Sequence, residues 1–320
     1  MSKPIRVLNC AIVTVLCCIF FSDSHALNEP THEVINEFIA RNTLMDFSLN
    51  QYLQESLYWN LGVNADLGGK KVWEWLREGG TQEDWPVFRS FNHYHDPTRT
   101  WDVAGLWGGD LGRSSVVWAQ TPDQPWGFFS WGDVRNYFYS ALTSTDQNNS
   151  KQLFAKAFRG LGQLMHLVQD ASVPLHTRND IHIIPGHYEY WLEDFRTKVD
   201  PDEFAQWLSN TSRYGYDPSL LAINPNPLAP IPIARIFDSD RYDGENPGVT
   251  TSMPVGLSEY CNANFLSDDT IFNSYSYPAR SSVEIVEYQI LDPRNEGQTI
   301  FRSSPGKALQ EQCIERTRMK

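Results

Sequence analysis

The stretch Gly162–Asp180, GQLMHLVQDASVPLHTRND, decides the fold because its apolar residues have helical spacing. The same stretch contains histidine and aspartate residues, which commonly bind metals, at close spacing. Apolar residues recur at three- and four-residue spacing from Phe154 to Val168, which predicts an amphipathic helix. His166 and Asp170 stand one helical turn apart, so their side chains project from the same face. This geometry suits a metal ion, and an ordinary polar helix face is the alternative interpretation.

The residues that follow this helix extend the same set. Pro174 is expected to end the helix, because proline lacks a backbone N–H. His176 then falls on the turn, where the chain can fold back and bring another imidazole beside the first pair. The pattern therefore predicts a metal site at the carboxyl end of this helix.

A second window upstream carries the same residue types. Asp84 precedes His93 by nine residues, and His93 lies in the sequence NHYHDP that spans Asn92–Pro97. Carboxylate and imidazole ligands together favour zinc over calcium or magnesium. Read alone, this window is a turn with solvated charge at Glu83 and Asp84. Combined with the first window, it favours a metal site.

Helical periodicity predominates from Thr31 to about Thr197, which predicts a mainly helical fold. Turn-forming residues interrupt it at Gly79-Gly80, from Pro97 to Gly112 and from Thr121 to Trp126. The segment between the second and third helical blocks is therefore predicted to be a long ordered loop.

The sequence pattern changes beyond Pro201, where prolines interrupt the helical spacing of apolar residues. A short helix is predicted near Val255 to Phe265, and the partial alternation of Ser281 to Leu291 predicts a strand. The predicted organisation is a helical domain at residues 27–270 and a C-terminal extension at residues 271–320, partly strand.

The first 26 residues have the pattern of a secretory signal peptide. Lys3 and Arg6 precede an apolar stretch from Val7 to Phe21, and Ser24-His25-Ala26 supplies small residues before a cleavage site. The mature chain is thus expected to begin at Leu27 and to be secreted or periplasmic. No later apolar run is long enough for a transmembrane segment.

Cysteine content and charge narrow the chemistry further. Three of the five cysteines fall in the signal segment, so Cys261 and Cys313 remain and could pair in an oxidising compartment. The formal net charge of −13 repels phosphate backbones unless a local cation reverses the field. An anionic substrate would therefore need bound metal.

The motifs together resemble the superfamily of zinc-dependent phospholipase C and single-strand-specific nucleases. The resemblance rests on the phrase HLVQDASVPLH and on the ordered set His32, Asp84, His93, His166, Asp170 and His176. It covers roughly residues 27 to 200 and implies an all-α, phospholipase C/nuclease-like helical domain with up to three zinc ions. The less regular C-terminal extension, containing some β, follows this domain. The stretch Gly256 to Phe272 also resembles a segment of bacterial secreted relatives.

The resemblance implies a ligand set for each zinc ion. One ion would take Asp84, His93, His166 and Asp170; another would take Leu27 and His32 and share Asp170; the last would take His176, His187 and Glu189. Leu27 would bind through its free amine and carbonyl oxygen, where the family usually has tryptophan. The family spaces its last pair four residues apart, whereas His187 and Glu189 are two apart, so ligands drawn from His182, Glu189 and Glu193 are the alternative. His95 and His182 are read as groups behind the ligands or on the surface.

The implied activity is hydrolysis of a phosphoric diester by a metal-activated hydroxide, with Asp84 able to accept a proton. Zinc lowers the pKa of bound water from about 16 to about 7, so no serine or cysteine nucleophile is required. Phospholipid is the preferred substrate, with transient contact to a membrane surface, because HYHDP is closer to the turn of the bacterial lipases. The five-residue step from Leu27 to His32 favours the alternative, a single-strand nuclease or 3'-nucleotidase. The short His187–Glu189 spacing leaves a non-catalytic, zinc-stabilised exported binding protein as another reading.

Overall fold

The structure is a computed structural model that describes residues 29–44, 47–122, 124–181, 197, 233–246, 248–265, 267, 283–286 and 300–303. This part of the chain is predominantly helical, which confirms the all-α class that the periodicity predicted. None of its helices combines the length and the apolar character that crossing a bilayer requires.

The secondary structure of the described residues consists of helices and two short antiparallel strand pairs. The helices are α1 Glu29–Arg41, α2 Leu49–Ser56, α3 Val72–Gln82, α4 Ser115–Gln120, α5 Trp131–Thr143, α6 Gln147–Asp170, α7 Pro174–Thr177, α8 Ala234–Phe237, α9 Val249–Ser252 and α10 Leu257–Asn264. Turns of 3₁₀ helix cover Gly62–Asn64, Val87–Asn92 and Leu106–Gly109. Strand β1 Thr43–Leu44 pairs with β2 Phe47–Ser48, and β3 Val283–Val286 pairs with β4 Ile300–Ser303. The strand β3 lies inside the stretch that was predicted to be a strand.

Helix α6 forms the centre of the fold, packed against α3 and α5, while α3 also packs on α1. The Asp146 carboxylate caps its first turn by accepting hydrogen bonds from two backbone N–H groups. Its first half buries Phe154 and Phe158 in an apolar core shared with α2 and α3. Burying each such side chain contributes about 1.5–3 kcal/mol. A rigid, buried α6 therefore carries the residues near its carboxyl end.

The glycine pair in α3 corrects one sequence prediction. Gly79 and Gly80 lie inside α3 and do not interrupt it. A Cβ at Gly79 would overlap the backbone of Arg159 and Gly162, so only glycine permits this contact between α3 and α6. Glycine costs about 1 kcal/mol in a helix relative to alanine. The close approach of the two helices compensates and brings the end of α3 to α6.

Pro174 also differs from its predicted role. Helix α6 ends at Asp170, and Pro174 is the first residue of the short helix α7. The missing N–H of proline costs nothing there, because the first turn of a helix has no partner for it. His176 thus lies on α7, directly after the short connection from α6.

Several predictions fall on residues that the structure does not describe. They include the signal segment at residues 1–26, the mature end at Leu27, and Cys313. Cys261 is buried, and its thiol contacts the carbonyl oxygen of Ser172 at 3.2 Å. Burial raises the pKa of Cys261 to about 12, which makes this thiol unreactive.

Candidate metal centre

Six of the residues that the motifs singled out meet in one buried cluster, which we call the metal cluster. Its members are His32, Asp84, His93, His166, Asp170 and His176, all at most 3% exposed. They come from α1, from the segments on either side of the 3₁₀ turn at Val87–Asn92, from α6 and from α7. On α6, His166 Nε2 lies 3.1 Å from Asp170 Oδ2, as their spacing predicted. Tertiary packing thus joins residues that are far apart in the sequence.

Asp170 stands in the middle of the metal cluster. Its Oδ2 lies 2.8 Å from His93 Nδ1, 3.1 Å from His166 Nε2 and 3.8 Å from His176 Nδ1. Its Oδ1 lies 3.4 Å from His32 Nε2. The two oxygens of one carboxylate therefore face different sets of histidines. A carboxylate in this position can bridge two cations.

Asp84 completes the set around His93 and His166. Its Oδ1 lies 3.6 Å from His93 Nδ1 and 3.7 Å from His166 Nε2, and those two nitrogens are 3.3 Å apart. Tetrahedral zinc with bonds of about 2.1 Å places its ligand atoms roughly 3.4 Å apart. The ligand atoms of Asp84, His93 and His166 lie within 4.8 Å of one another. The ligand atoms of His32, His166 and Asp170 form a second group within the same distance. The spacing fits one ion in either group, and because His166 belongs to both groups, its Nε2 would bind only one of the two ions.

Three histidines of the metal cluster share one orientation, in which ring Nδ1 is hydrogen-bonded to a carbonyl oxygen. The pairs are His32 with Gln169 Oε1 at 2.8 Å, His166 with Gly80 O at 2.6 Å, and His176 with His93 O at 3.2 Å. A carbonyl oxygen can only accept, so Nδ1 carries the hydrogen in each ring. In the neutral ring Nε2 then holds the lone pair, the arrangement usual for metal-binding histidine.

Some buried atoms of the metal cluster lack hydrogen-bond partners among the described residues. They are His32 Nε2 and both carboxylate oxygens of Asp170, which are close to other polar atoms but without hydrogen-bonding geometry. A buried polar group left unpaired costs about 1–3 kcal/mol, and more if it is charged. A cation between these atoms would satisfy them all, so the residues fit a bound metal.

The charges within the metal cluster are strongly interdependent. Burial opposes the charged form, yet the carboxylates of Asp84 and Asp170 raise the pKa of His166 to about 10. Burial likewise opposes ionisation of Asp170, but His166 and His176 hold its pKa well below the ordinary value. Burial and the neighbouring His166 lower the pKa of His32. A cation that binds Nε2 of His166 must displace a proton, so metal binding should release protons.

Glu83 is a site residue that sequence reasoning missed. Both Glu83 and Asp84 are buried, which excludes the alternative reading of this pair as solvated charge. Glu83 accepts hydrogen bonds from Arg89 Nη2 at 2.6 Å and Trp118 Nε1 at 2.7 Å. Its Oε1 also lies 3.8 Å from His93 Nε2, on the far side of the ring from Asp170. A buried ion pair therefore backs the His93 ring, and its direct neighbour Asp84 was the available signal.

Gln169 was missed as well, although it lies inside the motif HLVQD. Its Oε1 receives the His32 ring hydrogen, and its Nε2 donates to Asn36 Oδ1 at 2.7 Å. Asn36 in turn donates to the carbonyl oxygens of Leu76 and Gly162. This relay ties α1, α3 and α6 together and holds the His32 ring in one orientation.

His95 is buried, which excludes the surface position that was one reading for it. Its Nδ1 lies 2.7 Å from Ser114 Oγ and its Nε2 lies 2.8 Å from Asp238 Oδ2. The ring of Tyr94, between His93 and His95, stacks on His176 with 4.4 Å between the ring centres. His95 is thus a group behind the ligands, as the other reading held.

The remaining predicted ligands, Leu27, His187 and Glu189, lie outside the described residues, as do the alternatives His182 and Glu193. Their roles stay predictions. In comparisons with protein-family models, curated proteins and solved structures, the chain matches none. The family resemblance that the motifs carry stays a prediction as well.

Proposed function

We propose that this chain is an exported, zinc-dependent phosphoric diester hydrolase that cleaves phospholipids in the manner of a phospholipase C. The observation that carries the proposal is the position of Asp170, whose two oxygens face separate groups of buried histidines. A cation that joins these buried carboxylates and imidazoles would offset the cost of their desolvation.

The donor set supports zinc as the cation. Imidazole nitrogen and carboxylate oxygen at tetrahedral spacing suit zinc, whereas calcium and magnesium take oxygen ligands in larger number. The first ion would be held by Asp84, His93, His166 and Asp170, and the second by His32 and Asp170 with the amino end at Leu27. The third would be held by His176 with His187 and Glu189. Asp170 would serve both the first and the second ion.

Bound zinc would supply a water of lowered pKa and positive charge beside the phosphoryl oxygens. The residues of this chain orient the reaction around it. Hydrogen bonds to Nδ1 hold the rings of His32 and His166, so that their Nε2 atoms keep fixed positions. Asp84 would accept the proton from the attacking water. The water oxygen would bond to phosphorus as the bond to the diacylglycerol oxygen breaks, and solvent would supply the proton with which that oxygen leaves as a hydroxyl.

The preference for phospholipid rests on charge and on the turn that carries His93. A net charge of −13 disfavours long polyanions, whereas a single phosphodiester in a lipid headgroup presents one negative charge. The HYHDP turn at residues 93–97 also resembles that of the bacterial lipases. The spacing from Leu27 to His32 keeps a single-strand nuclease as the alternative.

The direct test is an assay of the purified, processed protein on phosphatidylcholine vesicles and on single-stranded DNA, with zinc present and after chelation. We expect zinc-dependent release of diacylglycerol and close to three zinc ions per chain by elemental analysis. DNA cleavage without diacylglycerol release would overturn the substrate. A single retained zinc ion without hydrolysis of either substrate would instead identify a zinc-stabilised binding protein.

A further inference from the structure

We propose that Asp238 is a positioning residue for the metal ligands His93 and His176, and that it acts through His95. By this proposal, the described residues of the segment 233–265 help to hold the metal ligands in position. This inference rests on the metal cluster of the proposed function and does not depend on which substrate is cleaved.

The link begins at the His95 ring, which is buried between two partners. Asp238 Oδ2 accepts from His95 Nε2 at 2.8 Å and from Trp101 Nε1 at 2.8 Å, while Ser114 Oγ contacts the other ring nitrogen. Burial alone would raise the pKa of Asp238, but the hydrogen bond from His95 holds it below its ordinary value. An ionised carboxylate can only accept, so His95 Nε2 carries the donated hydrogen. We call His95, Ser114, Trp101 and Asp238 the support network.

The backbone at residues 93–95 connects the support network to two ligands. His95 N donates to His176 O at 2.9 Å, and His176 Nδ1 is hydrogen-bonded to His93 O at 3.2 Å. These bonds join the turn that carries His93 to helix α7, which carries His176. Any displacement of the His95 ring would therefore move both ligands together.

Asp238 is itself held firmly from the C-terminal side. It follows α8 directly, and its Oδ1 accepts from Asp240 N at 2.7 Å. The next residues are fixed by Glu259, a buried carboxylate of α10 that accepts from the backbone N–H groups of Ser239, Arg241 and Tyr242. Five donors in all converge on this carboxylate, including Ser239 Oγ and Gly256 N. Glu259 thus holds in place the loop that carries Asp238.

Helix α10 reaches His176 by a second route. Asn262 Nδ2 donates to Thr177 O at 2.6 Å, and the Arg178 guanidinium donates to the carbonyl oxygens of Asn262 and Phe265. Both routes start in α10, and they end at the carbonyl oxygen of His176 and at the two residues that follow it, Thr177 and Arg178. The stretch from Gly256, which the sequence left without a role, therefore braces helix α7.

Hydrogen-bonded groups behind metal ligands typically change metal affinity about 10–100-fold when mutated. The test measures the zinc dissociation constant by chelator competition for the wild type, His95→Phe, Asp238→Leu and the double variant. We expect each single change to weaken zinc binding about tenfold, because it leaves the other polar partner buried and unpaired. The double variant should recover part of the affinity, because neither the His95 ring N–H nor the Asp238 carboxylate is then left buried without the other.

Two further variants separate positioning from general destabilisation. Asp133→Asn removes a carboxylate that caps α5 and whose hydrogen bonds go to Ser130 and not to the support network, so it should lower the melting temperature without changing zinc affinity. Asp238→Asn keeps the size of the side chain but sets an amide N–H against a donor in either orientation. It should fold and still weaken zinc binding several-fold, which decides the matter if Asp238→Leu does not fold.

The outcomes distinguish this inference from the function on which it rests. If the wild type binds zinc and Asp238→Asn and His95→Phe bind it equally well, the positioning role is wrong and the proposed function is untouched. If zinc affinity in Asp133→Asn falls as far as in the support-network variants, the effect is general destabilisation and the inference is again wrong. A wild type that binds no zinc overturns both.

Discussion

Two buried histidine–aspartate groups lie side by side in this protein, and they differ in how their polar atoms are paired. In the support network, both nitrogens of His95 and both oxygens of Asp238 have partners. In the metal cluster, His32 Nε2 and both oxygens of Asp170 lie within 3.4 Å of ionisable neighbours but form no well-directed hydrogen bond among the described residues. The histidines and aspartates themselves are buried in both groups. The pairing therefore distinguishes a group that braces the fold from one whose atoms have the spacing of a cation site.

The difference has an energetic side. A satisfied buried network contributes to stability, whereas removing one partner costs about 1–3 kcal/mol. The metal cluster already carries that cost at several atoms, and it persists because the surrounding helices hold it. Helix α6 shows this directly, since its first half buries Phe154 and Phe158 while its last turns bury His166 and Asp170. The first half of α6 thus contributes apolar burial, and its last turns hold the two charged residues of the metal cluster in place.

The largest predicted effect is the loss of activity in His166→Ala, which tests whether the metal cluster, unlike the support network, takes part in a reaction. The change removes a ligand whose Nε2 faces both Asp84 and Asp170, and kcat/KM on phosphatidylcholine should fall roughly 1000-fold. Phe158→Leu, two turns earlier on the same helix, is the matched control and should keep its kcat/KM. Activity of His166→Ala within tenfold of the wild type would remove the metal cluster from the reaction.

The next effect concerns the number of bound ions. Asp170→Asn should lose two zinc ions, because its two oxygens face different histidine groups, whereas Asp84→Asn should lose one. Elemental analysis after dialysis against a weak chelator gives both numbers. Equal losses in the two variants would contradict a bridging role for Asp170.

Removal of zinc tests the same difference between the two groups through the thermal stability of the protein. A ligand present at 1000 times its dissociation constant stabilises the folded state by about 4 kcal/mol, which corresponds to roughly 10 °C in a domain of this size. Scanning calorimetry with zinc and with excess chelator should show this shift in the wild type. In Asp170→Asn the two melting temperatures should lie closer together. If the wild type has the same melting temperature with zinc and with chelator, the metal cluster is not arranged around a cation.

The smallest effect is expected at the predicted mature end, Leu27. If its free amine binds zinc, a protein with extra residues ahead of Leu27 should bind that one ion about tenfold more weakly. Proteolytic removal of the extra residues from the same preparation should restore the affinity. Equal zinc content and equal activity before and after removal would refute the role of the amino end.

Much of the metal cluster was predictable from spacing. His166 and Asp170 lie one turn apart on a helix, and helical geometry alone places both on one face. The partners that hold the rings were not predictable. Asp238 is 143 residues from His95, and no local pattern links two residues at that separation. Glu83 was misread because a charged residue next to a turn is usually solvated, and only the buried Arg89 reveals its role.

Local patterns in the sequence determined the helical class, the position of α6 and the residue types of the metal cluster, because helix periodicity acts over a few neighbouring residues. Tertiary structure alone decided that Gly79 permits close helix packing, that Pro174 begins α7 and that His95 pairs with Asp238. These features depend on contacts between distant segments. Such contacts form only when the whole chain packs, because the free energy of burial is set by the assembled core.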